Sequence, residues 1–285
     1  ATPSRCKHVA PKLHDVFATE GVAGLYSTGG FEVAYTKYQS WCLDELNRLT
    51  EGTKYEGIEV KDVAIMTSRE PELAAIFNYA SMAHNNHFFF DGLAPQGGKD
   101  PAEYMPSALK TELEASFGSL ETLQRELVLT ANAMFGPGFV WLVRATDGHS
   151  AQRFPFRVLS TYLAGSPYPA AHWRKQGTDM NAHGGITDSA GETIRHYFDM
   201  QNIGQGRAPL HGSAAAAAAG GGGGGSILNK ESAKNPGGAS LVPVLCVSTW
   251  EHAWLYDWDV GGKLAYLTAW WDIINWGKVA ERASL

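Results

Sequence analysis

The run from Leu241 to Arg282 constrains the fold of this chain more than any other stretch. It opens with the apolar, β-branched segment 243–249 (PVLCVST), which predicts a buried strand. The strand leads directly into the segment 250–254 (WEHAW), where an acid and a histidine lie between two large aromatic residues. After Gly261-Gly262, apolar residues return at helical spacing, and they are Leu264, Leu267, Trp270 and Trp271. A strand, a turn and a helix are therefore expected here in that order.

This order of motifs resembles the C-terminal signature of the iron/manganese superoxide dismutases, in which D-x-W-E-H-A-Y-Y is followed by a helix ending in I-N-W. The matching helix here ends in Ile274-Asn275-Trp276. The resemblance implies an α+β fold, with a long helical hairpin in the N-terminal part. The C-terminal domain is expected to contain a small antiparallel sheet flanked by helices.

The resemblance also identifies four metal-ligand positions, which are Ala34, His87, Ser248 and His252. Alanine has no donor atom, and a neutral hydroxyl is a poor substitute for the family's charged carboxylate. Two imidazoles cannot form a high-affinity manganese or iron site. The sequence therefore predicts a vestigial site with no metal, no other cofactor and no enzymatic activity. Two alternatives remain open, an active dismutase with an unusual ligand set and a residual metal contact at the two histidines.

The residues that surround the metal in the family have changed as well. The gateway tyrosine and histidine of the dismutases correspond to Cys42 and Tyr38, and the glutamine of Q-G-S-G-W corresponds to Phe135. The second tyrosine after W-E-H-A corresponds to Leu255. Because outer partners tune ligands and bound water, these changes predict that the redox tuning is lost too. The two remaining histidines are then expected to be buried and hydrogen-bonded within the protein.

The chain is predicted to divide into an N-terminal helical hairpin domain, residues 1–95, and a C-terminal domain, residues 96–285. Apolar periodicity predicts helices at about 31–49, 71–90 and 107–116. A fourth helix is expected after an N-cap at Ser119, and strands at 139–143 and 243–249. Residues 1 to about 29 are expected to be irregular. The C-terminal domain carries a long insertion at about 147–240 that the dismutase pattern does not require.

The insertion contains a low-complexity tract, Ala214–Gly225, whose composition is typical of a flexible tether. Its first half instead combines aromatic and basic residues, and the insertion is mildly positive while the rest of the chain is negative. One interpretation is a solvated loop. The other is a docking arm for a partner surface, built on Arg153, Arg157, Trp173, Arg174 and Lys175.

Composition excludes several classes of protein. The formal net charge of −6 argues against a surface made mainly for nucleic acid. No apolar run is long enough to span a membrane, so no membrane association is expected. The three cysteines Cys6, Cys42 and Cys246 lie far apart, without disulfide or zinc spacing, which suits a reducing compartment. The first residues are mildly basic, which indicates a processed organellar precursor.

Two helical blocks, A-Y-T-K-Y-Q-S at 34–40 and N-N-H-F-F-F at 85–90, resemble one branch of the superfamily. That branch is the dismutase-like proteins of the mitochondrial small ribosomal subunit, as in fungi. It implies a structural, ribosome-bound protein of the mitochondrial matrix, with no small-molecule substrate. The expected partners are a related dismutase-like subunit, in a heterodimer, and other proteins of the small subunit. A limited contact with ribosomal RNA is left open, as is the alternative of a free-standing dimeric binding module.

In the dismutases the glutamate of W-E-H reaches across the two-fold axis to a ligand histidine of the other subunit. The glutamate at this position is not a metal ligand in the family. The presence of Glu251 beside His252 therefore implies that the dimer surface was retained after the metal site was lost. The expected interface residues are Glu251, His252, Tyr38 and His84. The alternative is that Glu251 pairs within its own chain.

Overall fold

Two long helices form the N-terminal part of the computed structural model, which describes residues 7–95, 105–146, 155–171 and 241–285. The first begins at Thr28, where the Ser27 hydroxyl accepts a hydrogen bond from the Gly30 amide. The second packs along it in the predicted hairpin. The helices here are α1 Asp15–Glu20, α2 Thr28–Phe31, a π-helical segment Glu32–Lys37, α3 Tyr38–Thr50, α4 Val60–Thr67 and α5 Ala74–Asp91.

Two short helices were missed by the sequence analysis. Helix α1 lies in the stretch expected to be irregular, and α4 begins inside the predicted link between the long helices. Helix α4 buries Val63, Ala64 and Thr67 against α5. Three buried positions at i, i+1 and i+4 make too short a pattern to be separated from a loop by periodicity alone.

The middle of the chain supplies two helices and two strands. They are α6 Ser107–Phe117, α7 Leu120–Ala133, β1 Gly138–Ala145 and β2 Phe156–Tyr162. The N-cap predicted at Ser119 is confirmed, because its hydroxyl accepts from the Thr122 amide at 3.2 Å. After the insertion the chain adds β3 Leu241–Ser248, a 3-10 turn Glu251–Ala253, α8 Leu255–Trp258, α9 Lys263–Trp271 and α10 Trp276–Ala283.

The described strands form one antiparallel sheet in the order β2-β1-β3, so β1 is central. Phe139 of β1 lies opposite Thr161 of β2 and Ser248 of β3, and a bulge interrupts the second pairing at Leu142/Val143. The predicted α+β architecture of helical hairpin, small antiparallel sheet and flanking helices is confirmed.

Strand β2 lies within the segment that the sequence analysis assigns to the insertion. Because β2 pairs along its length with β1, residues 156–162 are part of the sheet. Its alternating apolar residues, Phe156 and Val158, are interrupted by arginine and serine, which hides the strand among the aromatic and basic residues of the insertion.

The hairpin and the C-terminal elements are joined through the end of α5. Arg282 of α10 donates to Asp91 at 2.9 Å and to the carbonyl oxygen of Phe88 at 3.1 Å. Its guanidinium also stacks 3.6 Å over the Phe88 ring. Trp254, Trp270, Trp271 and Trp276 of the C-terminal elements are all buried. None of the helices in the described ranges is both long and apolar enough to cross a lipid bilayer.

Candidate functional site

The four ligand positions of the dismutase pattern lie on neighbouring elements. Ala34 is in the π-helical segment, His87 in α5, Ser248 at the end of β3 and His252 in the 3-10 turn that follows. The π-helical segment contacts both α5 and the 3-10 turn, and α5 contacts β3. Ala34 and Ser248 are buried, with 1% and 0% of their surface exposed.

Ser248 is bound by its local backbone. Its hydroxyl accepts from the Trp250 amide at 3.3 Å, and its carbonyl oxygen accepts from the Tyr266 hydroxyl at 3.2 Å. The side chain therefore stabilises the turn after β3. A neutral oxygen in this role supplies neither the charge nor the free lone pairs of the carboxylate that the family pattern has there.

His87 has a partner of its own. Its Nδ1 lies 2.9 Å from the Tyr35 hydroxyl, which in turn donates to the carbonyl oxygen of Pro11 at 2.9 Å. Because the hydroxyl proton goes to Pro11, the His87 Nδ1–H is the donor to Tyr35. Burial lowers the pKa of His87, so the ring is neutral at physiological pH. The expected hydrogen-bonded histidine is found here, and its partner Tyr35 was missed.

His252 is covered by an aromatic ring. The rings of His252 and Tyr38 are stacked, with centroids 3.7 Å apart and planes 14° from parallel. Nε2 of His252 is enclosed and has no hydrogen-bond partner among the described residues. Burial lowers the pKa of His252 to about 4. The prediction of a hydrogen-bonded histidine is therefore wrong for Nε2 of His252, which is enclosed without a hydrogen-bond partner among the described residues.

These residues do not fit the metal that the fold family implies. One position has no donor, one has a neutral hydroxyl used by the backbone, and one imidazole nitrogen is enclosed. Within the described ranges, no three His, Cys, Asp or Glu side chains lie close enough together to hold an ion. The chemistry of the donor set, with two neutral imidazoles and no carboxylate, cannot bind manganese or iron tightly.

Three buried amides beside the site were also missed. Gln39 donates to the carbonyl oxygen of Ala83 at 2.9 Å, and Asn86 donates to the Gln39 side-chain oxygen at 3.1 Å. Asn86 also reaches the carbonyl oxygen of Ala34 at 3.4 Å. These bonds link α3 and the π-helical segment to α5 without any metal. Amides in a helix are common surface residues, so sequence alone offers no signal that Gln39, Asn85 and Asn86 are buried.

The residues at the outer positions of the family pattern no longer all lie together around the site. Cys42 is fully buried beside the site, and burial raises the pKa of its thiol to about 12. Phe135, at the glutamine position, is 99% exposed in the turn before β1. Leu255 is partly exposed at the start of α8. Only Cys42 and Tyr38 therefore still belong to the cluster around His252.

Glu251 projects from the 3-10 turn into solvent. Its carboxylate forms no hydrogen bond or close ion pair with any residue in the described part of the chain, although its charge acts on the ammonium group of Lys263. Both alternatives for Glu251, a partner subunit and its own chain, stay predictions. Nearby, Tyr38 contacts Trp41, and Trp41 packs edge-on against Tyr79 with centroids 5.3 Å apart. Half of the Trp41 surface is exposed. A free carboxylate and an exposed indole therefore flank the Tyr38–His252 stack.

His84 has a partner within its own chain. Its Nε2 lies 2.9 Å from the hydroxyl of Tyr168, in the segment after β2. Burial, followed by the charge of Lys61, lowers the pKa of His84 to about 3, so the ring is neutral in this hydrogen bond. Ser81 and Asn85 on the same side of α5 donate to the carbonyl oxygens of Ala164 and Gly165. Together these three contacts form a clamp that holds residues 164–168 against α5.

Of the predicted docking residues, only Arg157 falls within the described ranges. It is partly buried in β2, opposite Val143. Arg153, Trp173, Arg174 and Lys175 lie outside the described residues, as does the tract Ala214–Gly225.

The chain has recognisable relatives. Residues 105–169 and 215–282 match the model of the iron/manganese superoxide dismutase C-terminal domain. Only residues 170–214 fall between the two matched ranges, which is less than the insertion predicted at about 147–240.

Two relatives from Schizosaccharomyces pombe are mitochondrial-type ribosomal proteins by name. The small ribosomal subunit protein mS43 is 25% identical over 293 aligned positions, which cover 98% of this chain and 90% of mS43. The small ribosomal subunit protein mS42 is 28% identical, covering 78% of this chain and 72% of mS42.

An enzyme is among the relatives too. The iron superoxide dismutase of Salmonella typhimurium is 31% identical over 151 residues, which cover 53% of this chain and 70% of the enzyme. With that coverage, with the matched C-terminal domain model, and with the helical hairpin and three-stranded sheet in place, the chain belongs to the iron/manganese superoxide dismutase family.

Proposed function

We propose that this chain is a structural, non-catalytic protein of the mitochondrial small ribosomal subunit, bound to the ribosome in the matrix. The proposal rests on how much of this chain each alignment covers. The alignment with mS43 takes in 98% of this chain, whereas the alignment with the iron dismutase takes in 53%. The similarity to the ribosomal relative thus extends well beyond the part that the enzyme shares.

The state of the ligand positions supports a non-catalytic role. Ala34 has no donor atom, and the Ser248 hydroxyl is used by the Trp250 amide. A dismutase needs a metal that changes oxidation state, and these residues cannot bind one tightly. A residual metal-binding dismutase, the alternative function, would have to bind an ion at His87 and His252 without a carboxylate ligand, and the Nε2 atom of His252 is enclosed.

Sedimentation of a native mitochondrial extract tests the ribosomal role. The chain, carrying an affinity tag, should migrate with the small subunit on a sucrose gradient and co-purify with its proteins. Elemental analysis of the same purified material should find manganese and iron far below one ion per chain, with background dismutation of superoxide. A chain that stays in the soluble fractions with a stoichiometric metal would overturn both parts of the proposal.

The partner face is proposed to lie around the 3-10 turn. Glu251 is exposed and has no partner among the described residues, while Tyr38, His252 and Trp41 form an aromatic row beside it. Aromatic residues are enriched at the cores of interfaces. A related subunit with a histidine or another cation opposite Glu251 would suit this face, since a carboxylate buried in an interface needs a hydrogen-bonded partner. His84 has less scope for such a role because Tyr168 already binds it.

The insertion is proposed as a second contact, with other proteins of the small subunit. The predicted docking residues are Arg153, Arg157, Trp173, Arg174 and Lys175, of which Arg157 belongs to β2. Arginine and tryptophan are enriched in interfaces, whereas lysine is not, so Lys175 contributes only positive charge. The net charge of −6 for the whole chain makes an extensive contact with ribosomal RNA unfavourable, so any such contact is expected to be local.

A further inference from the structure

The two outer edges of the sheet differ in how their backbone groups are used. We propose that the outer edge of β2 binds an extended, acidic segment of another protein, which adds a fourth, antiparallel strand to the sheet. The chemistry of this edge is independent of the proposed function. Only the placement of the partner in the small ribosomal subunit rests on that function.

The backbone bonds between β1 and β2 show which groups of β2 point outward. The Leu163 amide donates to the Pro137 carbonyl oxygen at 2.9 Å, and the Ala145 amide donates to the Pro155 carbonyl oxygen at 2.7 Å. In an antiparallel pair, hydrogen-bonded and non-hydrogen-bonded positions alternate. The odd-numbered residues of β2 therefore bond to β1, and the N–H and C=O groups of the even-numbered residues point away from it.

The middle of this outer edge is free. Ser116 of α6 accepts a hydrogen bond from the Phe156 amide at 3.3 Å, which covers the first position. The N–H and C=O groups of Val158 and Ser160 have no hydrogen-bond partner among the described residues. Val158 is partly exposed and Ser160 is exposed. Such a row of unpaired groups is a template for another strand.

The opposite edge, on β3, is closed by the protein itself. The Tyr266 hydroxyl donates to the Ser248 carbonyl oxygen at 3.2 Å, and the Arg282 guanidinium donates to the Val244 carbonyl oxygen at 3.3 Å. Helices α5 and α10 also pack on this strand. Strand β2 contains neither proline nor lysine, two residues that commonly protect an edge. The protein therefore covers one edge of its sheet and leaves the other open.

Arg157 indicates the chemistry of the partner segment. It is the one charged residue of β2, and its guanidinium forms no ion pair with a group in the described ranges. Because its backbone bonds to β1, the residue opposite it on an added antiparallel strand is in the closely spaced, non-hydrogen-bonded type of pair. An acidic side chain there would stabilise the pairing. A second copy of this chain is a poorer occupant, because its β2 offers another arginine and no acid.

Cross-linking in a mitochondrial extract identifies the occupant. A photo-reactive benzoylphenylalanine in place of Ser160, in the tagged full-length chain, should cross-link to another protein at an extended segment that contains Asp or Glu. A cross-link to a small-subunit protein supports the proposed function as well, whereas one to a protein outside the ribosome supports the edge and contradicts the ribosomal role. A cross-link only to a second copy, to residues 172–240 of the same chain or to RNA overturns the proposal, as does the absence of any cross-link.

Substitutions at the same position separate the backbone from the side chain. Ser160→Pro removes the outward N–H and leaves the bonds to β1, and edge strands tolerate proline. It should weaken retention of the cross-linked protein by the tagged chain about tenfold, because a partner carbonyl loses its donor. Ser160→Ala, the matched control, keeps the N–H and should retain the protein normally.

The charge of Arg157 is tested in the same way. Arg157→Glu should weaken retention and Arg157→Lys should largely preserve it, because the lysine keeps the positive charge. Circular dichroism and cooperative unfolding establish that each variant is folded. Equal retention by Ser160→Pro and Ser160→Ala, or by the two Arg157 variants, overturns the proposal.

Discussion

The hydroxyl of Tyr35 lies 2.9 Å from Nδ1 of His87, and this contact occupies a residue that matches a metal ligand of the family. Tyr35 is 6% exposed, and its hydroxyl also donates to the Pro11 carbonyl oxygen. The histidine at this position is therefore supported by a tyrosine and a strap of N-terminal backbone, with no ion needed.

The Tyr35 contact predicts a loss of stability on substitution. Tyr35→Phe should lower the free energy of unfolding by about 1–3 kcal/mol, because a buried N–H and a carbonyl oxygen lose their partner. Urea unfolding measures the difference. Tyr162→Phe is the control. Tyr162 is 55% exposed, so its substitution should change the free energy of unfolding by less than about 0.5 kcal/mol. Equal effects of the two substitutions would contradict the assignment.

Stability should fall as the solution is acidified below pH 6.5. Burial lowers the pKa of His84 to about 3 and that of His252 to about 4, from the ordinary value of 6.5. The unfolded chain therefore takes up protons between pH 6.5 and about 4 that the folded chain does not, which favours unfolding. Each histidine should cost on the order of 1–2 kcal/mol at pH 5.

Removing one of these histidines should flatten that pH dependence. His252→Phe keeps a ring against Tyr38 and removes the enclosed Nε2, so the chain should be as stable as the original at pH 7 and more stable than it at pH 5. Urea unfolding at both values measures the change. Parallel curves for the two chains would show that His252 does not contribute to the acid sensitivity.

Glu251 should contribute to partner binding and not to folding. Glu251→Ala removes a carboxylate that has no partner in the described chain, so the unfolding free energy should change little. Affinity for the related subunit should fall by about 2 kcal/mol, or some 30-fold, because a buried cationic or imidazole group loses its partner. Binding of the isolated pair by calorimetry measures this. Asp272→Ala, another exposed acid, should leave the affinity unchanged, and an unchanged affinity for Glu251→Ala would remove the support for this interface.

The strand pairing in the sheet determines which residues of the insertion can be deleted without loss of the fold. Deleting residues 174–234 leaves every described residue in place, so the fold should be retained while incorporation into the small subunit weakens. Deleting residues 150–238 would also remove β2, residues 156–162, and should prevent stable folding. Thermal unfolding and gradient sedimentation distinguish the two variants. Normal incorporation of the shorter deletion would contradict a docking role for residues 174–234, which include Arg174 and Lys175.

The clamp at the start of the insertion gives a further prediction. Tyr168→Phe leaves the His84 Nε2 without its hydrogen-bond partner, and stability should fall by about 1 kcal/mol. Limited proteolysis should cleave the variant faster after β2, because the segment 164–168 is less firmly held. Ser40→Ala, which removes a local hydroxyl-to-backbone bond on α3, should not change cleavage at that segment.

Local signals were sufficient for the long elements. The two long helices have sustained periodicity, Ser119 has a capping hydroxyl, and the WEHAW segment with its preceding strand forms a specific motif. The prediction failed where the signal was short or mixed. Helix α4 has only two turns, and β2 combines apolar residues with Arg157 and Ser160.

The packing inside the site could not be predicted, because it depends on which aromatic rings contact each other in the folded chain. The sequence places Tyr38 and His252 more than two hundred residues apart, and the family pattern assigns Tyr38 to a gateway. Their stack follows from the packing of the π-helical segment against the 3-10 turn. In the same way, His84 fitted an interface from sequence alone, and only the position of Tyr168 revealed its partner within the chain.

The strand order β2-β1-β3 has a consequence for how this part of the molecule can change in evolution. Strands β2 and β3, which flank the insertion, are not hydrogen-bonded to each other, because they pair with opposite edges of β1. No tight turn sets the length of their connection, and residues can be gained or lost there without shifting the register of any pair. Related chains can therefore acquire connections of very different length and composition at this point while the scaffold beneath remains the same.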